Sequence, residues 1–214
     1  HGVPSTTNAH PHTSDNVSIV HNGIIENYSL LKKELRKKGY NFKSQTDSEV
    51  IAHLLSDQLK NHNAEVAIKM TMSKLEGAFA IAIIFKDLRL LAGARKGSPL
   101  AVGVSDDATF IGSDSVALAP FTKKIIYLEE GDSVFIQDTE LKIYNERFNE
   151  VKRQITYSSY NKDNFGKGNF DHFMKKEIFE QPHVVGDSLS RFVDPINKVI
   201  NIPELKINWK KISK

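Results

Sequence analysis

No cysteine occurs in the 214 residues. That absence excludes disulfides, thiolate-bound zinc and a cysteine nucleophile within this chain. Long apolar runs are missing as well. None approaches the roughly 20 residues that a membrane-spanning helix needs, and the N-terminus carries no signal-peptide pattern. Excess charge of one sign is also lacking: 29 Lys and Arg against 26 Asp and Glu leave a net charge of +3. That is too little to argue for nucleic acid as a partner. The densest basic run, Lys32-Lys33-x-x-Arg36-Lys37-Lys38, falls on the polar side of a predicted helix and reads as a solvated face. Internal repeats and low-complexity tracts are absent. What is present is ordinary for a soluble globular protein with a sizeable core: 40% hydrophobic and 26% charged residues. A soluble, cytoplasmic protein is expected.

The stretch with the most chemistry is His21-Asn22-Gly23-Ile24-Ile25-Glu26-Asn27. Val17-Ser18-Ile19-Val20 before it alternates and is β-branched, which predicts a strand delivering the next residues to one end of a sheet. Asn22-Gly23 signals a tight turn, because glycine tolerates positive φ. An Asn side-chain amide and a Gly backbone N–H at such a corner suit a developing oxyanion; a plain strand-to-helix turn has the same signature. His21 beside them reads as a hydrogen-bonded positioning group. Downstream, Thr46-Asp47-Ser48-Glu49 predicts a capping box, with Thr46 as N-cap and Glu49 at N3. Asp47 then complements the helix dipole or binds a substrate ammonium.

Along the rest of the chain, residues 5–15 read as a loop. Its His10-Pro11-His12 with Asp15 lacks the rigid frame of a metal site, so no metal is expected. Ile24, Tyr28, Leu31 and Leu35 mark a helix ending at Gly39, and Tyr40–Lys43 a short strand. Val50, Ile51, Leu54, Leu55 and Leu59 predict a second helix, with His53 as a structural residue beside it. Ala64, Ile68, Met72 and Leu75 predict a third. From Ala78 the period changes to short strands: 79–85, 88–95, 100–104, 109–112, 125–128, 133–136 and 141–144. Helices followed by a meander imply an α+β layered domain of antiparallel sheets. Neither Gly97-Ser98-Pro99 nor Ser113-Asp114-Ser115 has the context of a nucleophile or phosphate loop, and both read as turns. Residues 158–169 read as a linker, and 171–180 as a helix stopped before Pro182.

His21-Asn22-Gly23 and Thr46-Asp47-Ser48-Glu49-Val50 together resemble the glutaminase domain of the class II (N-terminal-nucleophile, Ntn) glutamine amidotransferases. The wording is similar to the glutamine–fructose-6-phosphate aminotransferase family. Supporting segments follow in family order: Asn8-Ala9-His10-Pro11-His12, Glu76-Gly77-Ala78-Phe79-Ala80, Gly97-Ser98-Pro99-Leu100, Ser113-Asp114, Glu129-Glu130-Gly131-Asp132 and Met174 through Pro182.

The resemblance implies an Ntn-hydrolase-like αββα sandwich. It implies an oxyanion hole of Asn22 (side-chain amide) and Gly23 (backbone N–H), Asp47 on the substrate α-ammonium, and His1 helping to hold the α-carboxylate. Glutamine is the implied substrate. Its ammonia would pass to an isomerase domain that binds fructose 6-phosphate, in a homodimer needing no cofactor, nucleic acid or membrane. Residues 1–157 would be the glutaminase domain, 158–182 the linker and 183–214 the start of the isomerase domain.

The family attacks glutamine with an N-terminal cysteine, whereas this chain opens on His1-Gly2-Val3-Pro4, which resembles the tail of the family's glutamine-binding loop. It is therefore expected to be a fragment, inactive alone. The rivals are another class II amidotransferase, such as the phosphoribosyl-pyrophosphate enzyme, and a non-catalytic remnant.

Overall fold

Alternation along Val17–Gly23 separates two environments: Val17 and Ile19 are wholly buried, while Val20 between them and His21 is 44% exposed. A strand with one face on a core behaves in this way. The computed structural model describes residues 2–138, 140–158, 166–194 and 199–200. These fall into two units, residues 1–162 and 163–214.

The first unit contains two antiparallel sheets. One joins β1 (His12–Ser14), β2 (Val17–Gly23), β3 (Phe79–Phe85), β4 (Leu90–Lys96), β8 (Ser133–Gln137), β9 (Glu140–Tyr144) and β10 (Glu150–Val151), in that order. The other runs β11 (Ile155–Tyr157), β7 (Lys124–Tyr127), β5 (Ala101–Val104), β6 (Thr109–Gly112). Helices α1 (Tyr28–Lys37), α2 (Ser48–Leu59) and α3 (Ala64–Lys74) cover the outer face of the larger sheet, and the four-residue α4 (Ser115–Leu118) covers the smaller.

Three apolar clusters match these layers. Ile51, Leu55 and Ile68 pack on Ile19, Phe79, Ile81 and Phe85. Val102, Ile126 and Leu128 meet Val134, Ile136 and Ile143 between the sheets. Leu118 rests on Ala101 and Ile125. The result is an α+β fold layered αββα.

The smaller sheet does not reach across the larger one. Val20 and Ile84, on the inter-sheet face of β2 and β3, are 44% and 56% exposed. Beside them β6 is an edge strand.

Several local expectations are corrected. Tyr40–Lys43 forms no strand; instead Tyr40 and Phe42 pack on the core beside His53. Ile24 is exposed and the helical face starts later, with Leu31 and Leu35, while Ile25 is the buried residue. Within residues 5–15 lies β1, whose three residues pair with Val17–Ile19. In the second unit, α5 (Phe173–Phe192) runs through Pro182 rather than stopping before it. Proline there lacks one N–H bond and crowds the preceding turn, yet the 20-residue helix continues on both sides of it. The Lys176–Glu180 ion pair and the His183–Asp187 contact at 3.5 Å, each one turn apart, bracket the position. The described residues of this unit also include two paired antiparallel strands of two residues each, β12 (Val193–Asp194) and β13 (Val199–Ile200). Residues 159–165 of the expected linker, and residues 195–198 and 201–214, lie outside the described residues.

Candidate active site

The end of β2 and the start of α2 meet. Asn22 and Gly23 are the last two residues of β2, opposite Ala80 and Phe79 of β3. Contrary to the turn signal, the chain does not fold back there. Ile24 N–H donates to Ala78 O at 2.9 Å and Glu26 N–H to Glu76 O at 2.9 Å, so the pairing continues past the strand. Gly23 is nevertheless a corner in dihedral terms, with φ +130°. A Cβ there would lie 2.1 Å from Ala78 O, so only glycine fits. Gly77 plays the same part from the other side: its φ is +112°, and a Cβ would meet Ile24 O at 2.3 Å. Two crossing backbones need a glycine each.

Asn22 is exposed and lines a groove of about 240 Å³, with Val20, Ala80, Ala82, Leu100 and Ile111 as apolar walls. The lining residues do not include Asp47. Asp47 instead reaches the backbone just beyond Gly23: its Oδ2 accepts from Ile25 N–H at 2.8 Å, and the residue is 9% exposed. This is its one side-chain hydrogen bond among the described residues, which leaves Oδ1 able to accept another.

The expected capping box does not form. Asp47, not Thr46, is the N-cap residue, and its side chain makes no capping bond. The reason lies in competing partners. Thr46 Oγ1 is engaged by His12 Nε2 (3.1 Å) and Ser44 Oγ (3.0 Å). Glu49 reaches past the cap to accept from Lys43 N–H (2.8 Å), Ser44 N–H (2.7 Å) and Ser44 Oγ–H (2.7 Å). Burial alone pushes the Glu49 carboxyl up, but these donors together hold it below the usual range.

His21 sits on the opposite face of β2 from Asn22, buried, with Nδ1 2.9 Å from Ser48 Oγ. Burial lowers its pKa, partly offset by the charge of Asp47. His12 and His53 are lowered for the same first reason. His53 Nδ1 meets Ser14 Oγ at 2.8 Å, and its Nε2 lies 3.5 Å from Glu49. Among the described residues no cluster of three or more His, Cys, Asp or Glu could hold a metal ion.

Residue His1 lies outside the described residues, but its neighbours are tied down. Val3 N–H donates to Gln45 Oε1 (3.2 Å), and Asn8 bonds both Val3 O (2.8 Å) and Gln45 N–H (2.9 Å). The first residues are thus tethered two positions from Asp47. Sequence reasoning missed Ser48, Ile25 N–H and the Asn8–Gln45 tie. Ser48 stood in view within Thr46-Asp47-Ser48-Glu49, but its partner is 27 residues away and carries no local signal.

The family model described as a glutamine amidotransferase domain matches residues 3–120, from the tether through both halves of this site. The chain belongs to the glutamine amidotransferase domain family.

Similar proteins extend the picture. Over its whole length the chain is 44% identical to a glutamine–fructose-6-phosphate aminotransferase (isomerizing) of Zymomonas mobilis and 47% identical to that of Mesorhizobium japonicum. It spans 36% of the length of each. Among solved structures it resembles the glutamine phosphoribosylpyrophosphate amidotransferase from B. subtilis complexed with ADP and GMP. That likeness has 28% identity and a TM-score of 0.59, over 68% of this amidotransferase chain and 33% of that one. An allosteric regulatory enzyme of purine biosynthesis is similar at 29% identity and a TM-score of 0.56, over 67% of this chain and 32% of its own.

Proposed function

We propose that this chain is the glutamine-binding part of a glutamine–fructose-6-phosphate aminotransferase. In this reading Asn22 contributes its side-chain amide, and Gly23 its backbone N–H, to an oxyanion hole. Asp47 receives the α-ammonium on Oδ1 while Ile25 N–H fixes Oδ2. His1 helps to hold the α-carboxylate. Ammonia released from glutamine passes to a fructose-6-phosphate-binding isomerase domain, and the assembled enzyme is a cytoplasmic homodimer. Residues 1–157 form the glutaminase domain, 158–182 the connection and 183–214 the start of the next domain.

The observation that carries the reading is the tie between Asp47 and Ile25 N–H, two residues beyond Gly23. It brings a buried carboxylate next to the strand end that the Asn-Gly pair occupies. The aminotransferase reading is favoured over the phosphoribosyl-pyrophosphate one by extent. Likeness to the latter covers 68% of the chain, whereas the aminotransferase relatives run over all of it, through the Met174–Pro182 segment.

With no cysteine in its sequence, the chain supplies binding and oxyanion stabilisation but no thiolate. Alone it releases no ammonia from glutamine. The test is a chimaera in which these 214 residues replace the matching stretch of the Zymomonas mobilis relative. We expect glutamine-dependent ammonia release, with Asp47→Asn raising KM for glutamine. A chimaera in which Asp47→Asn leaves KM unchanged would overturn the assignment of Asp47.

A further inference from the structure

The two halves of the proposed site come from different elements, and one buried side-chain pair joins them. His21 immediately precedes Asn22, and Ser48 immediately follows Asp47. His21 Nδ1 and Ser48 Oγ are 2.9 Å apart, and both residues are buried. The other bond of the same kind runs from Ile25 N–H to Asp47 Oδ2. It flanks Asn22-Gly23 on the far side.

We propose that Ser48, through its hydrogen bond to His21, is a positioning residue that sets the oxyanion corner of β2 against the Asp47 carboxylate of α2. The inference rests on the function proposed above.

The geometry explains why one bond has such leverage. Successive side chains of a strand point to opposite faces. Fixing His21 on the helix side therefore fixes the direction of Asn22 into the groove. Gly23 has no side chain to brace itself, and its φ of +130° lies outside what other residues adopt readily. The β3 ladder holds the strand end in the sheet, and its placement against α2 rests on His21 on one side and Ile25 on the other. Among the described residues His21 Nε2 is buried without a hydrogen bond and Nδ1 is the ring's one polar attachment. Removing the Ser48 hydroxyl takes away the imidazole's hydrogen bond and leaves Ile25 N–H to Asp47 as the remaining hydrogen bond, among the described residues, between the strand end and the start of α2. A displacement of about 1 Å at a catalytic group can cost about 10²-fold in rate.

Two measurements test this. In the chimaera, Ser48→Ala should lower kcat for glutamine hydrolysis by about 10-fold or more with KM nearly unchanged, and Ser48→Thr should restore most of it. A merely structural pair predicts a lower melting temperature with kcat of the folded enzyme intact, which would overturn the proposal. Asn22→Ala run alongside separates the two readings. If it leaves kcat intact, the oxyanion assignment fails; if it lowers kcat while Ser48→Ala does not, only the positioning role fails. In the 214-residue chain itself, Ser48→Ala should shift the amide resonances of Asn22 (side chain) and Gly23. Shifts confined to His21 and α2 would overturn the proposal without any assay of activity.

Discussion

A methyl group added at Gly23 would stand 2.1 Å from the carbonyl oxygen of Ala78 and 2.7 Å from Phe79 Cα, both backbone atoms that cannot swing aside. Gly23→Ala should therefore destabilise the fold by at least about 1–3 kcal/mol, the usual range for a residue forced into a sparsely populated conformation. A urea midpoint unchanged from the parent would show that the β2 end can shift. Asn22→Ala should behave differently, because its side chain is exposed. Stability should change little, while kcat of the chimaera falls by about 10²–10³, the usual loss for one oxyanion donor. Asn22, Gly23 and Asp47 were legible in the sequence because they sit in two short strings. Their coupling was not, since Ser48 to His21 and Asp47 to Ile25 are contacts between elements. Gly23 was read as a turn for a related reason: the string reports a need for positive φ, and the need came from a crossing backbone rather than a reversal.

At the scale of elements, the period of the apolar residues carried most of the information. All seven strands from Phe79 to Tyr144 were readable, with ends shifted by up to two residues. The start of α2 was misread because Thr46 and Glu49 have the types of a capping box but spend their bonds on His12, Ser44 and Lys43. This buried polar layer between α2 and the β1–β2 hairpin makes the fold sensitive to acid. His12, His21 and His53 all have pKa values lowered from 6.5 by burial. Above that value they are neutral in both folded and unfolded chains, and their contribution is fully present. As pH falls below 6.5 the unfolded chain takes up protons first, so stability falls, by up to about 1.4 kcal/mol per pH unit for each histidine. Urea midpoints should therefore drop between about pH 7.5 and about pH 5.5, before carboxylates titrate. Glu49, held below its usual value, adds its own loss only at lower pH. A flat midpoint across that range would mean the three rings reach water more easily than their burial indicates.

For the first unit as a whole, the mismatch between its two sheets is the feature with the widest consequence. Seven strands face four, and the smaller sheet stops at β6 while the larger continues through β3, β2 and β1. The strand Thr109–Gly112 has no charge, proline or bulge to discourage pairing, which are the devices by which edge strands avoid one another. Next to it lies apolar surface: Val20 and Ile84 are largely exposed, and Ile111 lines the groove between. The other edges are shorter or of other character, with three residues in β1 and in β11 and two in β10. Self-association of the 214-residue chain through β6 is the expected outcome at micromolar concentrations, since an unpaired edge beside an apolar face gains both ladder bonds and burial by adding a strand. Ile84→Lys places a charge on that apolar face at a residue outside the buried clusters. It should shift the chain toward monomer in sedimentation velocity with the far-ultraviolet circular dichroism unchanged. A parent chain that sediments as a monomer throughout would show that the bare face of β2 and β3 is tolerated in water. A parent that associates equally with and without the lysine would move the contact to another edge.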